Sequence, residues 1–475
     1  MIDGPTDALL RAAWSALGGE GGALDQVRTT GEPAVRLPSS LPVLPAMVAA
    51  VGAATLAAAV LDGARSGRAV PPVDLDVGHV ALAARSERHA RRAGQRAEDL
   101  FAPLSRFWAT ADGWLRLHAN YAWHRERALR VLGGPDGPDA VAAAVRTWRG
   151  ADLEDALAAA GAIGNAVRTR SEWAAHPQGA AVAARPLLTW TARSAPARPP
   201  GPGRAAEGVR VLDLTRVIAG PVATRMLAAW GAQVLRVDSP RLPEMAAQAV
   251  DTLPGKASAT LDLADTDRLE ELLAAADVVV QGYRPGALAR FGLDAGALAV
   301  RHPHLTVVTL SAWGATGPWA GRRGFDSLVQ CATGIADDEG SPERPGVLPA
   351  QVLDHATGYL AAAAVLLSLA GTARGAPARS VELSLASTAH WLTTPSPLSA
   401  PGATPPSPPS PPPPPSAPGA EEGRYLVTLP GAVDPVQVVA PPGRVGDLVP
   451  AWHRTTELGA DPVAFPPARG GPAAS

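Results

Sequence analysis

Apolar positions follow a regular pattern in residues 208–394, where short apolar runs alternate with segments of helical periodicity. Near-continuous apolar runs are typical of strands that are buried on both faces of a sheet. The predicted strands are residues 209–214, 233–238, 278–283 and 305–310, and the predicted helices between them are residues 221–230, 266–276 and 286–291. Because strands and helices alternate, the pattern predicts a parallel sheet with right-handed crossovers.

The first 195 residues follow a different pattern, which predicts a smaller α+β unit. Residues 47–61 predict a helix of small side chains, and residues 73–84 form a further apolar stretch. Within residues 107–118, Asp112-Gly113 separates two aromatic-bearing runs, which is typical of a β-hairpin turn. Further helices are predicted at residues 126–132, 139–148 and 153–160.

An internal repeat relates the two halves of the chain. Its two copies are residues 51–60 with 73–77 and residues 357–365 with 381–385. When Gly52 is aligned with Gly358, Val48 lies opposite Asp354. Only the second copy therefore has a carboxylate at this position.

Composition and charge exclude several classes of function. The 42 basic and 44 acidic side chains give a formal charge of −2, so no charge surplus favours a nucleic acid or a membrane surface as partner. The single cysteine, Cys331, excludes an internal disulfide and a cysteine-based zinc site, and we expect no metal. The apolar stretches 47–61 and 359–369 look too short or too rich in small residues to span a bilayer. Since the N-terminus also lacks the features of a signal peptide, we expect a cytoplasmic protein.

The turn after the first strand of the large unit lacks the usual dinucleotide fingerprint. That fingerprint is G-x-G-x-x-G, whereas this chain has Ala219-Gly220-Pro221. The free N–H groups at the N-terminus of the following helix still favour a phosphate. A nucleotide-like ligand is therefore compatible with this turn, although the turn alone is a weak signal.

Several longer motifs resemble the family III CoA-transferases, which include formyl-CoA transferase, carnitine CoA-transferase and the α-methylacyl-CoA racemases. The motifs in the second half are VRVLDLTRVIAGPVATRMLAAWGAQVLRVDSP (209–240), GKASATLDL (255–263), DVVVQGYRPGALARFGLD (277–294), LSAWGATGPWAGRRGFDSLVQCATG (310–334) and LDHATGYLAAAAVLLSL (353–369). The first half resembles the later, small-domain part of the family in ATADGWLRLHA (109–119) and VRTRSEWAAHPQG (167–179). The chain thus looks like a fusion of two truncated units.

This resemblance implies an α/β fold, with a Rossmann-like large domain that binds CoA and a smaller α+β domain from the N-terminal half. The predicted segments are an N-terminal helical remnant of the first unit (1–72), the small domain (73–194), a linker (195–207), the catalytic domain (208–394), a proline-rich linker (395–420) and a tail that returns to the large domain (421–475). We expect one complete active site, in a chain that is either a pseudo-dimeric monomer or a homodimer. The glycine-rich flap of some members has no clear counterpart.

The resemblance places the catalytic aspartate of the family on Asp354. As a nucleophile it would attack an acyl-CoA thioester, form an acyl-aspartyl anhydride and then an aspartyl-CoA thioester, and pass CoA to a second small carboxylic acid without ATP or metal. With the ordinary aspartate pKa of about 3.9 it would be ionised at neutral pH. The structural alternative is that Asp354 caps the Ala-rich helix that follows.

The same resemblance suggests residues that bind coenzyme A, the substrate carrier. Val217, Ile218 and Ala219 match the segment that approaches CoA after the first strand, and Arg236 stands where the family has a basic residue near the CoA phosphates. Lys256, the only lysine of the chain, could pair with a phosphate, and Tyr283 and Arg290 could contact adenine and phosphate. The structural alternatives are a solvated lysine, a tyrosine that ends a strand and a solvent-facing arginine. Gly282 replaces an asparagine that is common in the family.

Two other functions stay open. A racemase of this family carries histidine in a G-H-D motif, whereas this chain has Gly324-Phe325-Asp326, and phenylalanine cannot transfer a proton. His355, beside Asp354, leaves proton exchange open as an alternative. The other alternative is a CoA-binding scaffold without turnover. We expect an acyl-CoA:carboxylate CoA-transferase.

Overall fold

The computed structural model describes residues 2–93, 95, 101–135, 137–193, 198–341, 343–394 and 420–467. The predicted proline-rich linker, apart from its last residue, lies outside these residues. The helices are α1 (Gly4–Leu17), α2 (Val43–Ser66), α3 (Val77–Ala83), α4 (Ala122–Val131), α5 (Gly137–Val145), α6 (Gly150–Ala159), α7 (Arg170–Ala175), α8 (Pro177–Ala183), α9 (Ala219–Ala229), α10 (Ala246–Thr252), α11 (Thr266–Ala275), α12 (Ala295–Arg301), α13 (Asp326–Ala332), α14 (Ile335–Asp338), α15 (Val352–Ala373), α16 (Leu385–Thr393) and α17 (Ala420–Gly423).

The strands fall into one large and three small sheets. In chain order they are β1 (Val27–Thr30), β2 (Val73–Asp76), β3 (Arg91–Arg92), β4 (Phe107–Ala109), β5 (Trp114–Leu117), β6 (Gly164–Ala166), β7 (Leu188–Ala192), β8 (Arg210–Leu214), β9 (Gln233–Asp238), β10 (Lys256–Thr260), β11 (Val278–Gln281), β12 (Thr306–Ser311), β13 (Arg379–Ser384), β14 (Leu426–Leu429), β15 (Val436–Val439) and β16 (Arg444–Val445).

The large sheet has the strand order β10-β9-β8-β11-β12-β13-β7. All its neighbouring strands are parallel except β13 and β7, which pair antiparallel. The six strands β8 to β13 have the order of the doubly wound nucleotide-binding fold. In this fold, successive strands are added first on one side of β8 and then, from β11 onwards, on its other side. The predicted α/β class and parallel sheet are therefore confirmed.

Most elements predicted from periodicity lie within a few residues of the observed ones. Asp265 caps α11 by accepting the Arg268 N–H at 3.2 Å, which explains why that helix begins where predicted. Asp112-Gly113 separates β4 from β5 in an antiparallel pair, as the hairpin signal predicts. The predicted helix 286–291 is wrong in extent, since only a short 3₁₀ turn, Ala289–Phe291, forms there.

Two long apolar helices form the centre of the molecule. Helices α2 and α15 pack against each other, and α15 also packs against α9. With 24 and 22 residues, α2 and α15 are long and apolar enough to cross a membrane, so the prediction that these stretches are too short is wrong. However, 89% and 83% of their most apolar windows are buried inside the protein. Burial of the whole circumference explains why these helices are apolar on all sides.

The two halves of the chain exchange edge strands. In the second half, β12 and β13 are parallel, and the antiparallel neighbour of β13 is β7 from the first half. In the first half, β1 and β2 are parallel, and the antiparallel neighbour of β2 is β16 from the second half. The strand β7 belongs by sequence to the predicted small domain, yet it completes the edge of the large sheet. The tail likewise contacts both the first half, through β16, and the large domain, through Asp461, which accepts the Ser258 N–H at 2.8 Å.

Candidate functional site

Asp354 lies in the first turn of α15, at a junction of several chain segments. Its N–H donates to Asp326 Oδ2 at 2.9 Å, and Asp326 begins α13. One turn after Asp354, Gly358 lies against the start of α9, where a Cβ on this glycine would be 2.5 Å from the Ala219 carbonyl oxygen. The close approach that glycine permits thus places Asp354 one helical turn from the contact between α15 and α9.

The carboxylate of Asp354 has an unusual electrostatic environment. The residue is 6% exposed, and no described group donates a hydrogen bond to its carboxylate. Burial, together with Asp326 and Glu87, raises the pKa of Asp354 well above its usual range. Burial also raises the pKa of Asp326 to about 6, although the Asp354 N–H favours its charged form. The expectation that Asp354 has an ordinary pKa is therefore wrong, because the sequence could not show two buried acids beside it.

His355 connects this site to the first half of the chain. Its side chain is fully buried, and its Nε2 lies 3.0 Å from Glu87 Oε2. Burial would raise the pKa of Glu87, but the hydrogen bond and charge of His355 hold it below its usual value. Nδ1 of His355 is buried and has no hydrogen-bond partner among the described residues. Glu87, an acid of the first half, is therefore close to the candidate nucleophile Asp354 of the second half.

The turn between β8 and α9 has a strained backbone. Val217 has a φ of +67°, which is uncommon for a β-branched residue, and its N–H donates to Glu244 Oε2 at 2.9 Å. Glu244 also accepts a hydrogen bond from Tyr121, which immediately precedes α4 of the small domain. Ile218 is buried next to it, and Ala219 begins α9. The small domain of the first half thus contacts the turn that the resemblance assigns to CoA.

The two basic residues that were expected near the CoA phosphates are buried in ion pairs. Arg236 is completely buried and pairs with Asp238 at 2.7 Å and with Glu244 at 3.2 Å. Lys256 Nζ donates to Asp213 Oδ2 at 2.9 Å, to Thr224 Oγ1 at 2.6 Å and to the Pro221 carbonyl at 3.1 Å.

Neither cation presents its charge to a ligand in this arrangement, because protein carboxylates already neutralise both. Burial lowers the pKa of Lys256 to about 8, although Asp213 opposes this shift. The structural alternative of a solvated lysine is equally excluded, since Lys256 is 1% exposed. Lys256 links β10 to the first turn of α9 and thereby holds the loop after β8 in place.

The remaining two candidates, Tyr283 and Arg290, follow β11 and are partly or fully exposed. Tyr283 is half-buried after β11, and burial raises the pKa of its hydroxyl. Arg290 is exposed, with its guanidinium 4.6 Å from the centre of the Phe291 ring. Both residues are accessible to a ligand, and neither contacts Asp354.

Two aromatic side chains of the small domain, His118 and His124, lie close to Phe325, the residue before Asp326. His118, next to β5, stacks on Phe325 with ring centroids 3.8 Å apart, and His124 on α4 lies 6.3 Å from the same ring. Burial lowers the pKa of both histidines to about 3, so both imidazoles are uncharged at neutral pH. Their Nδ1 atoms have no hydrogen-bond partner among the described residues.

An open cleft of about 440 Å³ lies at the carboxyl ends of β12 and β13. Ser311, Trp313, Ser384 and Pro285 are among the residues that line it. Ligands of open α/β sheets bind outside the carboxyl ends of the strands at the point where the strand order reverses, which here lies between β8 and β11 rather than at this cleft. No group of three or more potential metal ligands occurs in the described parts of the chain.

Sequence reasoning missed Glu87, Asp326 and Glu244. Asp326 stands in the quoted Gly324-Phe325-Asp326 motif, so its sequence position was a usable signal. Glu87 and Glu244 lie outside any motif, and only long-range packing brings them to the site. Glu87 is buried beside His355, and Glu244 is buried beside Arg216 and Arg236. Only the three-dimensional structure shows these contacts.

Residues 206–417 match the family model described as CoA-transferase family III. The probable fatty acyl-CoA transferase Rv3272 of Mycobacterium tuberculosis is 34% identical over 202 residues, which are 39% of this chain and 51% of that protein. The succinyl-CoA:glutarate CoA-transferase of Mus musculus is 34% identical over 182 residues, 34% of this chain and 41% of that protein. The crystal structure of Rv3272 matches 38% of this chain at 35% identity, with a TM-score of 0.36, which is too low to compare the overall folds.

The chain thus spans about half, or less, of the length of these curated relatives. The matched segment contains the large sheet from β8 onwards, the turn before α9 and the carboxylate pair Asp326 and Asp354. Residues 206–417 are therefore similar to CoA-transferase family III.

Proposed function

We propose that the protein is an acyl-CoA:carboxylate CoA-transferase with Asp354 as its nucleophile. The observation that carries this proposal is a buried carboxylate without a hydrogen-bond donor, one helical turn from the contact of α15 with α9, within a segment that matches this family. A capping carboxylate would accept a backbone N–H at the start of α15, whereas the N-cap residue is Gln351 and no described group donates to the carboxylate of Asp354. The substrates we propose are an acyl-CoA and a small carboxylic acid.

The proposed chemistry balances without a further reactant. A carboxylate oxygen of Asp354 attacks the thioester carbon, the C–S bond breaks, and CoA thiolate leaves an acyl-aspartyl anhydride. The thiolate then attacks the aspartyl carbonyl, which releases the first acid and forms an aspartyl-CoA thioester. The second acid attacks this thioester to give a new anhydride, and the thiolate finally attacks the acyl carbon of that acid. The products are a new acyl-CoA and free Asp354.

The surroundings of Asp354 suit this sequence. The first N–H groups of α9 have no partner within the helix, and they can stabilise the tetrahedral oxyanion and a CoA phosphate. We propose that Val217, Ile218 and Ala219 form the CoA-facing turn and that Tyr283 and Arg290 contact the cofactor at its outer edge. Arg236 and Lys256 would support this turn through their buried ion pairs rather than bind CoA.

We also infer that the chain contains two fused units with one complete site. Each parallel pair, β1–β2 and β12–β13, receives its antiparallel edge strand from the other half of the chain. In the repeat, Val48 on α2 corresponds to Asp354 on α15, and α2 has no carboxylate in its first turn. The exchange of edge strands supports a pseudo-dimeric chain in which the small domain of the first unit covers the site of the second.

Trapping with hydroxylamine tests the proposed function. The protein is incubated with a panel of acyl-CoAs and hydroxylamine, which converts an activated aspartyl ester to a hydroxamate, and the peptides are then analysed by mass spectrometry. We expect a hydroxamate on the peptide that contains Asp354 and none in the Asp354→Asn variant. If CoA binds but no donor modifies this peptide, the proposal is wrong.

Deuterium exchange at the acyl α-carbon then distinguishes the remaining alternatives. A racemase would exchange this hydrogen with solvent, whereas a scaffold would bind CoA without any exchange. Because Phe325 occupies the position of the racemase histidine and His118 beside it is neutral and buried, we expect no exchange.

A further inference from the structure

A short 3₁₀ turn of the first half, Ser86–Arg88, places two consecutive side chains against the second half. The hydroxyl of Ser86 donates to Asp251 Oδ2 at 3.0 Å and accepts from Arg225 Nη2 at 2.8 Å. The next residue, Glu87, lies with its Oε2 atom 3.0 Å from His355 Nε2. Because these partners belong to α10, α9 and α15, the turn is fixed to three helices of the second half at once.

The proposed transfer chemistry uses neither Glu87 nor His355, although both are buried titratable side chains close to Asp354. His355 follows Asp354 directly on α15 and is completely buried. Glu87 lies outside residues 206–417, the segment that matches the family model. A segment of the first half therefore adds a buried acid to the candidate site of the second half.

The hydrogen bond between these two side chains determines the charge of Glu87. Burial alone would raise the pKa of Glu87, but the hydrogen bond from His355 and then its charge hold this pKa below its usual value. Glu87 is therefore ionised at neutral pH, and His355 Nε2 is the donor. Without its imidazole partner, a carboxylate that is buried to this degree would be neutral instead.

The charges around Asp354 are predominantly acidic. Its carboxylate faces two acids from other elements, Asp326 at the start of α13 and Glu87, and no described cation forms an ion pair with it. Arg88 Nε lies 3.9 Å from Glu87 Oε1, on a side chain that is one third exposed. The other charged or titratable groups near this turn are Arg85, His89, Arg225 and Asp251. Arg225 is already paired with Asp251 at 2.6 Å, so it does not neutralise Glu87.

A fixed charge at this place affects the two forms of Asp354 differently. The free carboxylate is an anion, whereas the same side chain is neutral in an acyl anhydride or a CoA thioester. A nearby negative charge raises the free energy of the anion but not that of the neutral forms. Glu87 therefore favours the step in which Asp354 attacks a thioester.

We propose that Glu87 is a positioning residue for the transfer reaction, held by His355 so that its negative charge makes the carboxylate of Asp354 a stronger nucleophile. This inference deepens the proposed function and rests on it for the role of Asp354. It also means that the site of the second half is incomplete without the turn Ser86–Arg88 of the first half.

A double-mutant cycle of melting temperatures tests the coupling without any substrate. Asp354→Asn is measured at pH 5 and pH 8 in the wild type and in Glu87→Gln, which removes the charge but can still accept from His355. The matched control background is Glu32→Gln, an exposed acid of the first half. We expect the gain from Asp354→Asn at pH 8 to fall by about half in Glu87→Gln and to stay unchanged in Glu32→Gln, since one of the two acids that oppose Asp354 is lost.

The pH profile of transfer provides a readout that a merely structural role would not move. With acetyl-CoA, butyryl-CoA and succinyl-CoA tested as donors, the acid limb of kcat/KM reports the ionisation of the free enzyme. In Glu87→Gln this limb should shift to lower pH by about one unit, and kcat should fall about 2- to 5-fold with KM unchanged. His355→Phe should shift the limb in the same direction, and the double variant should shift it no further, because Glu87 loses its charge in both cases.

Two outcomes separate this inference from the proposed function. Equal gains from Asp354→Asn in all three backgrounds, together with an unmoved acid limb in Glu87→Gln, would overturn the inference even if hydroxylamine labels Asp354. A coupled cycle without any hydroxamate on Asp354 would instead show that the proposed function is wrong. A lower melting temperature of Glu87→Gln by itself does not enter the cycle, because the cycle compares gains within each background.

Discussion

At the scale of single residues, the site is defined by where charges are buried. Asp354 has a raised pKa because burial and two neighbouring acids, Asp326 and Glu87, oppose its ionisation. Lys256 shows the opposite case, a cation that burial would discharge but that Asp213 keeps in an ion pair. The carboxyl group of Asp354 has no neutralising partner, whereas the ammonium group of Lys256 is neutralised by Asp213.

The first prediction concerns the pH dependence of Asp354. The pKa of Asp354 is higher in the folded than in the unfolded protein. Below about pH 4 the carboxyl group is protonated in both states and does not reduce the free energy of unfolding. As the pH rises towards the folded pKa, the free energy of unfolding falls. Asp354→Asn should therefore abolish CoA transfer and raise the melting temperature at pH 8, with a smaller gain at pH 5. Thermal melts across this range measure the difference.

The control for this prediction is Asp267→Asn, which changes an exposed aspartate in the first turn of α11. We expect this control to show no gain that grows with pH. An Asp354→Asn variant that is less stable than the wild type at pH 8 would contradict the view that burial of this charge is unfavourable.

The second prediction separates the two roles considered for Lys256. Lys256→Met leaves Asp213 buried and unpaired, so the free energy of unfolding should fall by about 3–5 kcal/mol. Adding Asp213→Asn should recover part of this loss, as measured by thermal melts of both variants. If Lys256→Met melts like the wild type but binds CoA much more weakly, Lys256 contacts a phosphate directly.

At the scale of elements, the approach of α15 to α9 positions the site. Gly358 has no side chain to separate the two helices, and the Ala219 carbonyl occupies the space that a Cβ would need. This contact packs α15 against the first turn of α9, one helical turn after Asp354. A glycine in the middle of a helix is unfavourable in itself, so packing accounts for its presence.

The third prediction tests this contact. Gly358→Ala should lower the free energy of unfolding by about 1–3 kcal/mol, because the helices must move apart, and should reduce transfer. Gly371→Ala is the matched control on the same helix, where the new Cβ would meet its nearest atom at an ordinary 3.6 Å. We expect the control to be neutral or stabilising, by up to about 1 kcal/mol. Equal stability of the two variants would contradict the role of Gly358.

At the scale of the whole molecule, the two halves are interleaved rather than joined end to end. Helices α2 and α15 share one core, and the strands β7 and β16 each complete the sheet of the other half. Glu87 and the small domain reach the site of the second half only because of this arrangement.

The fourth prediction follows from the interleaving. A recognition site for a specific protease, inserted between Pro199 and Pro200, allows the folded chain to be cut between its halves. The two fragments should coelute in gel filtration under native conditions and separate in denaturant, because the shared core and the exchanged strands do not depend on the linker. Fragments that separate under native conditions would contradict a single interleaved structure.

The local features of the fold could be predicted from the sequence. Four of the seven strands of the large sheet (β8, β9, β11 and β12), the cap at Asp265 and the hairpin at Asp112-Gly113 depend on neighbouring residues, and periodicity or turn chemistry reports such effects directly. The prediction of a helix at residues 286–291 was wrong because its apolar pattern is too short to distinguish an α-helix from the 3₁₀ turn that forms there.

The sequence by itself determined the parallel sheet, the repeat and the motif around Asp354. Only the tertiary structure decided which charges are neutralised, since the partners of Arg236 and Lys256 depend on contacts between separate segments. The physical reason is that periodicity and capping are set by residues a few positions apart, whereas the free energy of a charge is set by everything packed around it.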